Sequence, residues 1–296
     1  MRRTSLFLLI PVIFWGLSYI AIKIVLDELH PVEMISLRFL LASPTLLSVL
    51  LIKKIKIFPI KNMFELLIGA FLIFIHFWVM AVGMIETTAS NTAWILTTAP
   101  IFIAILGWFV LKEKFSLWQS IGLLIAAIGV IVLTANGSLE NLKWINSRGD
   151  FIVLGSCVTW ALYTIWIRKI HRMAHPLLMT FWMTTFAGII FVPYTFLTSD
   201  MSRFISLQLD TVISIIFLGV FCLAIAFWLW SEGLAKQNAS EVGIYLYIEP
   251  LITMLGAWII LSERITIWLV LGAVLITIGV LISEKYGHVE IVEHEI

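Results

Sequence analysis

Glu249 stands beside Pro250 in the apolar run 243–255, GIYLYIEPLITML. At membrane depth a carboxylate costs several kcal/mol unless it is paired, protonated or set in a water-filled cavity. Such an acid either bonds a neighbouring helix as a structural group, or exchanges protons or recognises a cation. His76 is the one histidine inside an apolar run. It could relay protons or bond a solute, although a core histidine satisfied by its neighbours has the same signature. Lys23 lies near the end of the first run and can snorkel, with Asp27 one turn further on to pair with it. Arg38 lies deeper in the next run, where a carboxylate or helix-end carbonyls would be its natural partners. A structural role suits both cations, with contact to a solute as the alternative. Trp15, Trp160, Trp94, Tyr163 and Tyr245 are candidate cavity walls, because aromatic faces suit flat or cationic solutes. Pro100 and Pro250 each lack an N–H and free the carbonyl four residues earlier, at Leu96 and Leu246. At membrane depth a freed carbonyl must find a partner or face a cavity, so both prolines mark bends and ligand contacts.

Other chemistry is thinly supported. The two histidines of HRMAH (171–175) lack the glutamate of a zinc-protease motif, and no metal is expected. No glycine-rich phosphate loop is present, so no nucleotide and no other cofactor is expected. Cys157 and Cys222 sit inside apolar runs and read as small buried hydrophobes.

The elements that must position these residues are membrane helices. Of 296 residues, 61% are hydrophobic and 12% charged, with a mean hydropathy of +1.06. Average soluble domains carry about a quarter charged residues. A net charge of +1 offers no bulk attraction for nucleic acid. A span needs about 20 apolar residues. Ten such stretches can be read: 4–26, 32–52, 63–85, 88–111, 116–135, 150–170, 177–198, 211–231, 239–261 and 265–283. The basic, apolar N-terminus is long enough to be the first span rather than a cleaved leader. With the N-terminus inside, thirteen Lys and Arg fall in inner segments and four in outer loops, which puts both termini in the cytoplasm of a multi-pass cell-membrane protein. Residues 285–296 form a short acidic cytoplasmic tail.

The chain repeats itself. At an offset of 145, Trp15 meets Trp160, Lys23 meets Arg168, and His30-Pro31 meets His175-Pro176. At an offset of 150, Ala89-Ser90 meets Ala239-Ser240, Pro100 meets Pro250, and Glu113 meets Glu263. Gly122 and Gly129 meet Gly272 and Gly279 at the same offset. Five spans per half is an odd number, so the halves, 4–135 and 150–284, enter the membrane with opposite orientation. An all-α integral membrane fold of ten transmembrane helices, built from two inverted five-helix repeats, is the result. Inverted repeats are the mark of alternating-access transporters, with the substrate site near the midplane. Glu249 is matched by Ala99 and His76 by Ala226, so the polar groups break the symmetry. Glu113 and Glu263, at span ends, suit capping or loop closure. The small-residue stripe on the fifth and tenth spans permits close helix packing, within one subunit or in a homodimer.

FWGLSYIAIKI with HPVEMISLRFLLA, then ASNTAWILTTAPIFIAILGWFVLKEK and GLLIAAIGVIVL, resemble the EamA-type domain of the drug/metabolite transporter superfamily. The pattern recurs as ASEVGIYLYIEPLITMLGAWIILSER and GAVLITIGVLI. The resemblance covers all but the tail. It implies a ten-helix bundle that carries small metabolites, often outward, with gate or packing roles for the basic residues Lys23 and Arg38, and leaves the solute open. The expectation is a secondary transporter, not an enzyme. It would export a small metabolite, such as an amino acid, or a drug, with protons exchanged through Glu249. An uncoupled facilitator or an exchanger of anionic solutes is the competing expectation. A membrane enzyme or sensor would need a polar catalytic cluster or an appended domain.

Overall fold

A computed structural model of the chain describes residues 3–57, 62–87, 89–114, 116–135, 137–138, 147–261 and 266–286. Glu263 and the tail beyond residue 286 lie outside the described residues. Every regular element among the described residues is helical. Seven stretches are long and apolar enough to cross a membrane: Phe7–Leu26, Pro31–Ile52, Met63–Ile85, Thr92–Leu111, Arg148–Ile170, Pro176–Thr198 and Leu209–Leu234. A shorter apolar helix runs over Leu117–Leu133.

Local chemistry sets the helix starts. α2 (Pro31–Ile52) and α8 (Pro176–Thr198) both begin at the proline of a His-Pro pair. Proline is pre-organised for the first helical position, and its missing N–H costs nothing there. Before α2, the His30 N–H donates to the Glu33 carboxylate at 2.8 Å. Before α8, the Leu177 N–H donates to His175 Nδ1 at 3.2 Å. α7 (Arg148–Ile170) opens with a reciprocal pair of bonds between Ser147 and Asp150.

α6 (Leu117–Ala135) and α13 (Ile267–Tyr286) pack along their length through the small-residue stripe. A Cβ added at Gly122 would lie 2.5 Å from the Gly279 carbonyl oxygen, and one at Gly279 would lie 2.5 Å from the Ala126 nitrogen. The stripe therefore serves backbone contact within one subunit.

Three apolar stretches are not continuous α-helix. α4 (Ala89–Leu96) gives way at Thr97 and Thr98 to α5 (Ala99–Leu111). Further along, α9 (Leu209–Ile216) passes through a π-helical segment, Phe217–Ile225, into α10 (Ala226–Leu234). The third is α11 (Ala239–Gly243), followed by a 3₁₀ segment, Ile244–Ile248, and then α12 (Glu249–Leu261). The 239–261 stretch is thus broken, and its longest helical piece has 13 residues. Neither proline kinks a helix from within. Pro100 and Pro250 each occupy the second position of a new helix, where proline is tolerated. The Leu246 carbonyl, expected to be free, accepts the Glu249 N–H in the tighter 3₁₀ turn.

Candidate functional site

The breaks meet α1 (Arg3–Leu26), α2, α3 (Met63–Ile85) and α7 around one central cavity. About 590 Å³ of space free of protein atoms, counted out to its mouth, lies between the lining side chains. The walls are Trp15, Ser18, Tyr19 and Ile22 of α1, Arg38 of α2, His76, Phe77 and Met80 of α3, and Trp160 of α7. Leu96 and Ala99 flank the first break, Leu246 and Glu249 the last, and Phe227 completes the ring from α10.

Glu249 is the first residue of α12. Its own N–H is taken up by the Leu246 carbonyl of the preceding 3₁₀ segment, so the carboxylate projects from the point where the two helical segments join. Tyr19 donates its hydroxyl to Glu249 Oε2 at 3.1 Å. α1 comes this close because residue 16 is glycine. A Cβ there would sit 2.6 Å from Ile252 Cβ and 2.9 Å from the Glu249 carbonyl oxygen. The Thr253 hydroxyl fastens the crossing, 2.8 Å from the Gly16 carbonyl and 3.0 Å from that of Glu249.

His76 lies at the opposite wall, buried. Its Nδ1 is 3.0 Å from the Ser156 carbonyl oxygen. A carbonyl only accepts, so Nδ1 carries a proton, and Nε2 is the ring's acceptor whenever the ring is neutral. Trp15 and Trp160 meet edge to face at 5.4 Å, with Phe227 within 5.7 Å of both. Trp15 is anchored by its indole N–H, which donates to the Cys222 carbonyl at 2.8 Å. That carbonyl lies in the π-helical segment. A π-turn alters the regular backbone ladder and is frequent at functional sites.

Of the residues singled out by sequence, Glu249, His76, Trp15, Trp160 and Arg38 line the cavity together. Pro100 and Pro250 sit beside it as the helix starts next to Ala99 and Glu249. Trp94 packs half-buried against the core and does not line the cavity. Tyr163 stands behind the wall, its ring 5.6 Å from Trp160. Tyr245 is buried in the 3₁₀ segment. Lys23 is exposed, outside the cavity, and forms no ion pair with Asp27. Arg38 is not paired with any carboxylate among the described residues either; its guanidinium lies over the Phe77 ring, 5.0 Å from the centroid. Sequence reasoning missed Tyr19, Ser18 and Phe227. Trp15, Ser18, Tyr19 and Ile22 are spaced i, i+3, i+4, i+7, one face of a helix, and that spacing was the available signal.

Away from the cavity, Glu113 closes the end of α5 onto the start of α11. Its carboxylate accepts from the Ala239 N–H at 2.7 Å, the Ser240 N–H at 3.1 Å and the Ser240 hydroxyl at 2.6 Å. Gln119 adds a bond to the same hydroxyl at 3.0 Å. Arg168 donates to the Leu234 carbonyl at 2.8 Å, tying α7 to the end of α10.

Apolar helices of membrane-spanning length, broken around a cavity with aromatic walls and a few polar groups, define a multi-pass membrane protein with a central cavity. The chain belongs to the EamA-like transporter family, whose profile matches residues 2–135 and 147–284. An uncharacterized transporter of Archaeoglobus fulgidus is 29% identical over 277 residues, 93% of this chain and 96% of that one. A protein of Salmonella typhimurium described as a probable amino-acid metabolite efflux pump is 26% identical over 290 residues, 95% of each chain. One solved crystal structure shares the fold with a TM-score of 0.79 at 16% identity, covering 95% of this chain and 96% of the other.

Proposed function

We infer that the protein is a secondary-active transporter that exports a small metabolite, an amino acid or related compound, or a drug, by alternating access in exchange for protons. The observation that carries this reading is the Glu249 carboxylate, set at a helix start inside the fold and facing the central cavity with Tyr19 on its oxygen. A carboxylate so placed can hold either a proton or a cationic group of the solute, and competition between the two is the simplest form of exchange.

Ten spans in two inverted five-helix repeats, 4–135 and 150–284, fit the observed elements. α6 and α13, the fifth and tenth spans of this reading, pack on each other through glycines that the repeat matches, Gly122 against Gly279 and Gly129 against Gly272. Leu96 with Leu246, and Ala99 with Glu249, are 150 apart and line one cavity. Orientation by loop charge puts the Glu113–Ala239 contact on the cytoplasmic side. The α1 lining, from Trp15 to Ile22, then runs from mid-span towards the outer end. The cavity is accordingly outward-facing, with its inner end closed by Glu113. Interchange of the halves opens the other side.

Purified protein in liposomes carrying an imposed proton gradient tests this. Uptake is measured over a panel of amino acids, nucleosides and organic cations. At least one solute should move faster with the gradient than without it. If every solute that moves does so at the same rate with the gradient collapsed, the carrier is an uncoupled facilitator.

A further inference from the structure

We propose that Arg38 is the receptor for a carboxylate on the transported solute, so that the cavity takes organic acids or zwitterions rather than simple cations. The inference rests on the reading of this cavity as the solute site.

Arg38 is 4% exposed and lines the cavity. Its Nε is buried without a hydrogen-bond partner, and no described carboxylate forms an ion pair with it. A guanidinium stays charged in a protein, and an uncompensated buried charge is costly. Phe77 covers one face of the guanidinium, which offers partial compensation through the ring's negative face. Stacking leaves the in-plane N–H fork unused. Glu249 is the other charged group of the cavity wall, and its Oε2 is engaged by Tyr19. The missing partner is therefore a planar anion brought from outside, and a carboxylate matches the fork with two parallel bonds. Most of the remaining wall, including Trp15, Trp160, Phe227 and Met80, is apolar, with His76 and Ser18 as its other polar groups, and that apolar share favours an organic acid over an inorganic ion. Charge balance adds a further restriction. A solute carboxylate on Arg38⁺ and a solute ammonium on Glu249⁻ give a neutral loaded cavity, whereas a bare cation leaves Arg38 unsatisfied.

Binding to detergent-solubilised protein at constant pH tests the assignment, read by quenching of tryptophan fluorescence. The probes are two pairs that differ only at the carboxylate: 3-phenylpropionate against 3-phenylpropionamide, and phenylalanine against phenylalaninamide. At least one acid should bind about tenfold more tightly than its amide. Arg38→Gln should remove that preference, Arg38→Lys should keep part of it, and Lys23→Gln should keep all of it. Size-exclusion profiles establish that each variant is folded, and Arg38→Lys carries the test if Arg38→Gln is not. The proposal is overturned if neither acid binds at about 10 mM, if acid and amide bind alike, or if the preference survives the loss of Arg38. No gradient enters this measurement, so absence of proton coupling leaves the assignment standing, and absence of acid preference leaves proton coupling standing.

Discussion

The two broken helices, α4–α5 and α11–α12, begin from the same device and end with different equipment. Each stops short of a proline, and each restarts with that proline in the second position of a new helix. The residue before the proline lines the cavity in both. In the first it is Ala99, 2% exposed. In the second it is Glu249, bonded by Tyr19 across a crossing that Gly16 keeps tight. The route into each break also differs. Thr97 and Thr98 turn back on α4, donating their hydroxyls to the Trp94 and Ile95 carbonyls. The second break is reached through a 3₁₀ segment whose side chains, Ile244 to Tyr247, are buried. A shared architecture thus supplies two helix N-termini at one cavity, and only one of them is given a charge. The geometry belongs to the fold, and the proposed proton chemistry belongs to the asymmetry.

Several substitutions would break or sharpen this contrast. The largest effect is expected from Ala99→Glu. A carboxylate forced into that packed position has no counterpart of Tyr19 to receive it. Burial of an unpaired charge should cost about 3 kcal/mol or more. The variant should lose most of its folded yield, or show a much lower temperature of half-unfolding by size exclusion. Wild-type behaviour would mean that the two breaks are interchangeable. A smaller effect is expected from Tyr19→Phe, which removes one hydrogen bond to a charged group. Bonds of that kind contribute about 1.5–3 kcal/mol, so proton-driven flux should fall at least about tenfold. Ser18→Ala is the comparison, because Ser18 bonds only its own helix, at the Trp15 carbonyl 2.7 Å away. Equal flux in the two variants would remove Tyr19 from the account. The smallest effects belong to Pro100→Ala and Pro250→Ala. At a helix start proline is permitted rather than required, so each should change stability by less than about 1 kcal/mol. Strong inactivation by either would show that the proline itself maintains the break.

Much of this was readable before any coordinates, and for a physical reason. Charged and imidazole groups in apolar runs are rare and costly, so Glu249 and His76 announced themselves. Trp15 and Trp160 were marked by their shared offset of 145 residues, and the structure brings their rings together. Tyr19 was hidden because a tyrosine is unremarked in an aromatic-rich span until the α1–α12 crossing is known. The π-helical segment was illegible, since FLGVFCLAI is uniformly apolar and carries no breaker at the point where the ladder shifts. Arg38 was visible, but its surroundings were not. A partner carboxylate was the natural expectation, and the aromatic face of Phe77 stands there instead. Both prolines were expected to bend a helix, and each instead stands at the start of one. Whether they bend a helix or begin one depends on the three residues before them, where 3₁₀ and turn bonds take up carbonyls that a smooth kink would have left free.

The central claim, that Glu249 alone of the two break residues carries the exchanged proton, is tested most directly by Glu249→Gln. The amide preserves shape and hydrogen bonding to Tyr19 but cannot titrate. For any solute moved by the wild-type protein in liposomes, gradient-driven accumulation should be lost, a fall of about a hundredfold or more. Counterflow of the same solute in the absence of a gradient should persist. Gradient-driven accumulation at the wild-type rate in Glu249→Gln would contradict the account.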